Sequence, residues 1–302
     1  MMRAIDLFAG WGGFSLGAEQ AGLDVVWAGN HWPLAVQAHA ANHPRARHVC
    51  QDLRQADWTA LPAYDLLLAS PACQGHSQAS QPRRRLYHDA LRATAWAVVD
   101  CADVTEPAAI IVENVPDFRR WRLYPVWREA LERLGYTLTE HVLTASHFGV
   151  PQRRRRLFVV GQRAPRELTF EADATEPAFG PCIDWTDGRW RPIGQATGNA
   201  RKRIDAAIER HGPRCLVQHV TGHKGIPLSD PIRTITTGDQ WAVIDAGRGR
   251  YRPLTVRENA RAMGFPDNYT WPDDATRTDK IRGLGNAVCP PVARRLIAEV
   301  AA

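Results

Sequence analysis

Through the first half of the chain, short apolar runs alternate with segments of helical length, and this alternation limits the fold more than any other feature. Arg3–Phe8, Asp24–Ala28, Asp65–Ala69 and Ala108–Val112 read as strands. Between them, Phe14–Ala21, Pro33–Ala41 and Asp89–Val104 read as helices, the second with proline in its first turn. Trp121–Leu134 reads as an amphipathic helix ending at Gly135, and Tyr136–Thr144 and Leu157–Gly161 as further strands. Strand–helix alternation of this kind predicts an α/β fold: a doubly wound, mostly parallel sheet with helices on both faces.

The pattern breaks after Gln162. Residues 163–250 are rich in Gly, Pro, Trp and Arg, with weak periodicity, and read as a second, irregular module of short strands. Helical pattern returns at Leu254–Gly264 and Pro290–Ala301. The expected division is 1–162, then 163–250, then a return to the first domain over 251–302. A length of 302 residues fits one large α/β domain with a smaller appendage. The first residues enter a strand without the apolar core of a signal peptide, and no apolar run approaches about 18 residues. Six scattered cysteines with no Cys-x-x-Cys fit reduced thiols and a cytoplasmic protein. The net charge is +6, and arginine, whose planar fork grips phosphate, far outnumbers lysine.

Four runs carry chemistry. Asp6–Gly17 is a glycine-rich turn between a strand and a helix, where backbone N–H groups point at a ligand and Phe8 can lie on an aromatic ring. Its spacing is not that of a dinucleotide loop. Cys73 follows Ser70-Pro71-Ala72 just past a strand, in a polar turn that suits a reactive thiol better than a core filler. His76 lies too close in sequence to form a defined Cys–His pair with it. Glu113 ends an apolar strand in Val112-Glu113-Asn114-Val115, where burial would raise its pKa toward that of a proton donor. In Gln152-Arg153-Arg154-Arg155-Arg156, strand alternation sends Arg154 and Arg156 to one face and Arg153 and Arg155 to the other.

Taken in order, these runs resemble the C5-cytosine DNA methyltransferases over most of the chain. Asp6–Gly17 resembles the S-adenosylmethionine loop, Pro71–Gln74 the catalytic Pro-Cys loop, Glu113–Val115 the Glu-Asn-Val motif, and Gln152–Arg156 the Gln-x-Arg-x-Arg motif. Arg252–Arg261 and Gly283–Pro291 resemble the two later family motifs. The resemblance implies a Rossmann-like methyltransferase domain and makes 163–250 the target recognition domain. It implies that Cys73 attacks C6 of a flipped cytosine, that Glu113 protonates N3, and that Arg154 or Arg156, with the pattern favouring Arg156, holds O2. It assigns S-adenosylmethionine to Phe8, Ala9, Gly10, Gly12, Gly13, Asn30, His31, Asp52, Ser70, Asn286 and Val288. Gln74, Ser77, Arg83, Arg84, Arg153, Thr234 and Thr236 are assigned to double-stranded DNA.

The chain departs from the family at two positions. Ala72 stands where a proline is usual before the cysteine, and Asn30 replaces the acid that holds the ribose hydroxyls. Asparagine hydrogen-bonds a hydroxyl without charge assistance. His31 and Trp32 are both candidates to stack on the adenine. No metal is expected: His39, His43, His48 and Cys50 lie close together, but Pro44 interrupts their spacing. The protein is expected to act as a monomer or a DNA-bound homodimer, with a cognate restriction endonuclease as a further partner. The alternatives are a tRNA cytosine methyltransferase and a catalytically weak DNA-binding regulator on the same fold.

Overall fold

The computed structural model describes residues 1–72, 93–220 and 222–302. Its main sheet has seven strands. In chain order they are β1 (Arg3–Leu7), β2 (Asp24–Asn30), β3 (Arg47–Cys50), β4 (Leu66–Ala69), β5 (Ala109–Asn114), β6 (Thr137–Thr144) and, after the two-residue β7 (Gln152–Arg153), β8 (Arg155–Gln162). The spatial order is β3-β2-β1-β4-β5-β8-β6. The first five strands in that order pair in parallel, and β8 is antiparallel to both β5 and β6. The chain builds outward from β1 through β2 to β3, then returns to place β4 on the other side. The carboxyl ends of β1 and β4 therefore face the reversal point, where open α/β sheets hold their ligands.

Each central strand is buried on both sides, and the period-2 alternation divides it between two cores. Leu66, Leu68, Ile111, Phe158 and Val160 join Trp11, Phe14 and Leu296 on one side. Leu67, Ala69, Ile110, Val112 and Val159 join Trp127 and Leu131 on the other. The flanking helices are α1 (Gly13–Gln20), α2 (Pro33–Asn42), α3 (Trp96–Thr105) and α4 (Tyr124–Arg133). None of the described helices is long and apolar enough to cross a membrane.

Several boundaries differ from the sequence expectation. The helix expected over 89–104 begins, among the described residues, with a 3-10 turn at Ala93–Ala95 and becomes α-helical at Trp96. Helix α4 starts at Tyr124 rather than Trp121, because Pro125 fits the first turn of a helix but not its interior. Trp121 is nonetheless buried, stacked on Phe118 at 5.7 Å. Strand β3 went unread because only Val49 among its four residues is strongly apolar.

The region after Gln162 is more regular than its composition suggested. Strands β9 (Arg191–Pro192), β10 (Arg214–Gln218), β11 (Ile226–Pro227), β13 (Trp241–Asp245) and β14 (Arg250–Pro253) form an antiparallel sheet ordered β11-β10-β13-β14-β9. A 14-residue helix, α5 (Gly198–His211), packs Ile204 and Ala207 against Cys215, Val217, Ala242 and Ile244 of this sheet. The short β12 (Ile232–Arg233) leaves the small sheet and pairs in parallel with β7, joining this region to the start of β8.

Three helices complete the chain: α6 (Val256–Met263), α7 (Arg277–Asn286) and α8 (Pro290–Ala301). Thr255 and Glu258 cap α6 reciprocally, as Thr276 and Asp279 cap α7. Helix α8 packs on α1, with Leu296 and Ile297 in the core that the two helices share. Two glycines permit this closure. A Cβ at Gly13 would lie 2.0 Å from the Val288 carbonyl oxygen, and one at Gly283 would lie 1.7 Å from Trp11 Nε1. Gly283→Ala is therefore expected to destabilise the fold by about 2 kcal/mol and to shift tryptophan emission as Trp11 moves. Urea unfolding with a wild-type midpoint would contradict this packing.

Candidate active site

Strand β1 ends at a bend. Phe8 and Gly10 take left-handed φ values of 62° and 54°, and Gly12 follows at 78°. For Phe8 this costs of order 1 kcal/mol. The bend turns the chain off β1 and into α1, beside the carboxyl end of β2. Alongside it lies a cavity of about 220 Å³. The cavity is lined by Phe8, Ala9, Gly10 and Phe14, by Asn30, His31 and Trp32, by Ser70, Pro71 and Ala72, by Glu113, and by Arg282, Gly283, Asn286, Ala287 and Val288.

Eight of the eleven residues assigned to the cofactor line this cavity: Phe8, Ala9, Gly10, Asn30, His31, Ser70, Asn286 and Val288, joined there by the catalytic candidate Glu113. Gly12 and Gly13 lie behind it, Gly12 against the Tyr269 hydroxyl and His43, Gly13 against Val288. Asp52 is not in the lining; its carboxylate caps the following turn and pairs with Arg54, which holds its pKa below the usual carboxylate range. Asn30 Oδ1 accepts the Trp32 backbone N–H at 2.9 Å, leaving its amide donors as the remaining polar group.

Glu113 enters at the last turn of β5 and is 6% exposed. Arg156 Nε lies 3.0 Å from Glu113 Oε1, an ion-pair contact that leaves Oε1 without an aligned hydrogen-bond donor among the described residues. Burial raises the Glu113 pKa, and the Arg156 and Arg154 charges oppose that rise only in part. Cys289 lines the same small space as these three, and burial pushes its thiol up to about 11, which disfavours the thiolate.

Arg154 and Arg156 share a face of the strand, but their guanidinium groups do different things. Arg154 is 2% exposed and donates to the carbonyls of Ile235, Gly285 and Ala287 at 3.0, 2.9 and 3.0 Å. It ties β8 to the segment after β12 and to the end of α7. Gln152 assists, accepting from Ile235 N and donating to the Ala262 carbonyl. On the opposite face, Arg153 pairs with Glu176 at 2.6 Å, which lowers the Glu176 pKa to about 2. Thr234 Oγ1 donates to the Arg153 carbonyl, and the exposed Thr236 hydroxyl bonds to Gly238.

Cys73, Gln74, Ser77, Arg83 and Arg84 lie outside the described residues. The approach to Cys73 is described. Asn114 Nδ2 donates to the Pro71 carbonyl at 3.1 Å, and the Ala72 N–H donates to Thr94 Oγ1 at 3.2 Å. A proline at position 72 has no N–H to give. Alanine thus replaces ring rigidity with a hydrogen bond to the start of the next element. The histidine cluster binds itself and its surroundings: His39 bonds to His48 and Ser15, and His43 to Glu19 and Tyr269. Gly283 and Ala287 also line the cavity and fall inside the Gly283–Pro291 motif, though neither was assigned to a ligand, and Arg282 is a lining residue that the sequence reading did not single out. Its signal was position: Arg282 lies four residues before Asn286, on the same helical face.

The family model for C-5 cytosine-specific DNA methylases matches residues 2–183 and 188–302, and the chain belongs to that family. A Type II methyltransferase of Neisseria lactamica, M.NlaX, is 29% identical, the match covering 100% of this chain and 97% of that protein. M.HgiDI of Herpetosiphon aurantiacus is 30% identical, covering 95% and 90%. Among solved structures, a prophage-encoded E. coli protein described as a DNA modification methyltransferase superimposes with a TM-score of 0.73 at 20% identity, covering 100% and 99%. Spodoptera frugiperda DNMT2 gives 0.72 at 16% identity, covering 100% of both chains. These likenesses confirm the Rossmann-like sheet with its mostly parallel strands.

The two arginines should separate in mutation. Arg154→Ala strands three carbonyls and should lower the unfolding free energy by about 3 kcal/mol or more. Arg156→Ala should leave the urea midpoint near wild type while slowing methylation about a hundredfold or more. Equal stability losses in the two variants would contradict this division.

Proposed function

We propose that, in this S-adenosylmethionine-dependent DNA cytosine-5 methyltransferase, the site residues act as follows. Phe8–Gly10, Asn30, His31 and Asn286–Val288 hold the cofactor in the cavity at the end of β1. The fit rests on the left-handed bend at Phe8 and Gly10 and on the donors of Asn30 and Asn286 in a wall that also presents Phe8, Phe14 and Trp32. When bound, the cofactor supplies the methyl group that C5 takes up.

The remaining chemistry belongs to the chain. A stacked cytosine offers neither C6 nor N3 to a side chain, so the base is flipped into the pocket. The Cys73 thiolate forms a bond to C6. Glu113, kept prone to protonation by burial, delivers a proton to N3, so the ring electrons move to C5. Arg156 holds O2 and offsets the charge left on Glu113. Once C5 carries the methyl group, its proton is lost to a base, the C5–C6 double bond reforms as the C6–S bond breaks and releases the thiolate, and N3 returns its proton to Glu113. Arg154 is a positioning residue. The single observation that carries this reading is the buried, imperfectly satisfied Glu113 carboxyl beside Arg156, opening on the same cavity as Ser70–Ala72.

Residues 163–250 serve as the target recognition domain, with Thr234, Thr236 and Arg153 facing the DNA. Residues 1–162 and 251–302 form the catalytic domain. The enzyme works in the cytoplasm, as a monomer or as two protomers on one palindromic site, alongside a cognate restriction endonuclease. Duplex DNA carrying 5-fluorocytosine tests the chemistry, because fluorine cannot leave C5 as a proton does. With cofactor, the wild-type protein should form a denaturation-resistant adduct. Cys73→Ser should form none, and Glu113→Gln should form it about a hundredfold or more slowly. An adduct that survives Cys73→Ser would overturn the assignment.

A further inference from the structure

Two charged side chains line the cofactor cavity among the described residues, Glu113 and Arg282. Glu113 is engaged with Arg156 at the cytosine end. Arg282 is exposed and has no carboxylate within 4.0 Å among the described residues. Asp279, one turn earlier on α7, is held instead by Thr276 at the helix cap. Arg282 is therefore a cation at the cavity wall with no fixed counter-ion.

The wall behind it is built, not incidental. The Arg282 guanidinium lies over the Trp32 ring, 5.7 Å from its centroid. Trp32 in turn packs on Trp11 with ring centroids 4.8 Å apart. Trp11 is fully buried, and its Nε1 donates to the Lys280 carbonyl at 3.1 Å on the helix that carries Arg282. Gly283 leaves the space that Trp11 occupies. A guanidinium over a tryptophan face is attracted by the ring quadrupole and loses fewer conformers when it binds an anion.

The cofactor carries a sulfonium, an ammonium and one anion, its α-carboxylate. We infer that Arg282, seated on Trp32, binds that carboxylate. The inference rests on the cofactor reading of the cavity. Asn30 makes the contribution larger: a neutral amide there gives the ligand no charge-assisted contact. Discrimination for the amino-acid end of the ligand then falls to Arg282.

The test is calorimetry on the full chain with two probes that differ by one group: S-adenosylhomocysteine and its decarboxylated analogue, S-adenosyl-3-thiopropylamine. Wild-type protein should prefer the carboxylate-bearing ligand by roughly tenfold. Arg282→Gln should reduce that preference to less than about twofold while leaving the affinity for the decarboxylated analogue unchanged, which also serves as the folding control. Arg282→Lys, which keeps the charge but not the planar fork, should restore part of the preference. Equal weakening of both ligands in Arg282→Gln, or a preference that survives it, would overturn the inference and leave the cofactor reading standing. Wild-type protein that binds neither probe would overturn the cofactor reading and this inference with it.

Discussion

The site depends on a carboxyl group taken out of water at the end of a buried strand. Glu113 follows four apolar residues of β5, and burial there opposes its ionisation. One guanidinium at 3.0 Å moderates the penalty without removing it. This balance suits the proton-donor role proposed for it: full pairing would fix the carboxylate as an anion, and isolation would leave a neutral acid with no route to charge. The antiparallel pairing of β5 with β8 supplies the balance, since it sets Glu113 opposite Phe158 and brings Arg156 within reach.

Arg154 extends the same geometry through the molecule. Its three carbonyl acceptors belong to segments 81 to 133 residues further along the chain. One lies in the stretch after β12, and two lie at the end of α7, which also lines the cavity beside Phe8. Gly285 permits the closest approach, since a Cβ there would lie 2.3 Å from the Thr236 carbonyl carbon. A single buried side chain thus ties the start of β8 to the segment after β12 and to the end of α7. The three carbonyl acceptors offset the cost of burying its charge.

The central strands were legible because they are apolar and bounded: the runs Asp65–Ala69 and Ala108–Val112 became β4 (Leu66–Ala69) and β5 (Ala109–Asn114), within two residues at each end. The shared face of Arg154 and Arg156 followed from strand alternation. What alternation could not reveal was their division of labour, because the partners of Arg154 are distant backbone carbonyls that have no sequence signature. Helix α5 was missed for a different reason. Its buried face consists of Ile204 and Ala207 in 14 residues, too narrow a stripe to stand out among arginines and acids. Arg282 was missed because a lone arginine on a polar helix has no pattern until the tryptophans beneath it are placed.

The protonation state of Glu113 is the most direct measure of the account. Infrared difference spectra taken across a pH titration, with Glu113→Gln as the reference, would isolate its carbonyl band. The account predicts that a protonated Glu113 band persists after the ordinary carboxyl groups of the protein have ionised. A band that disappears together with theirs would contradict it.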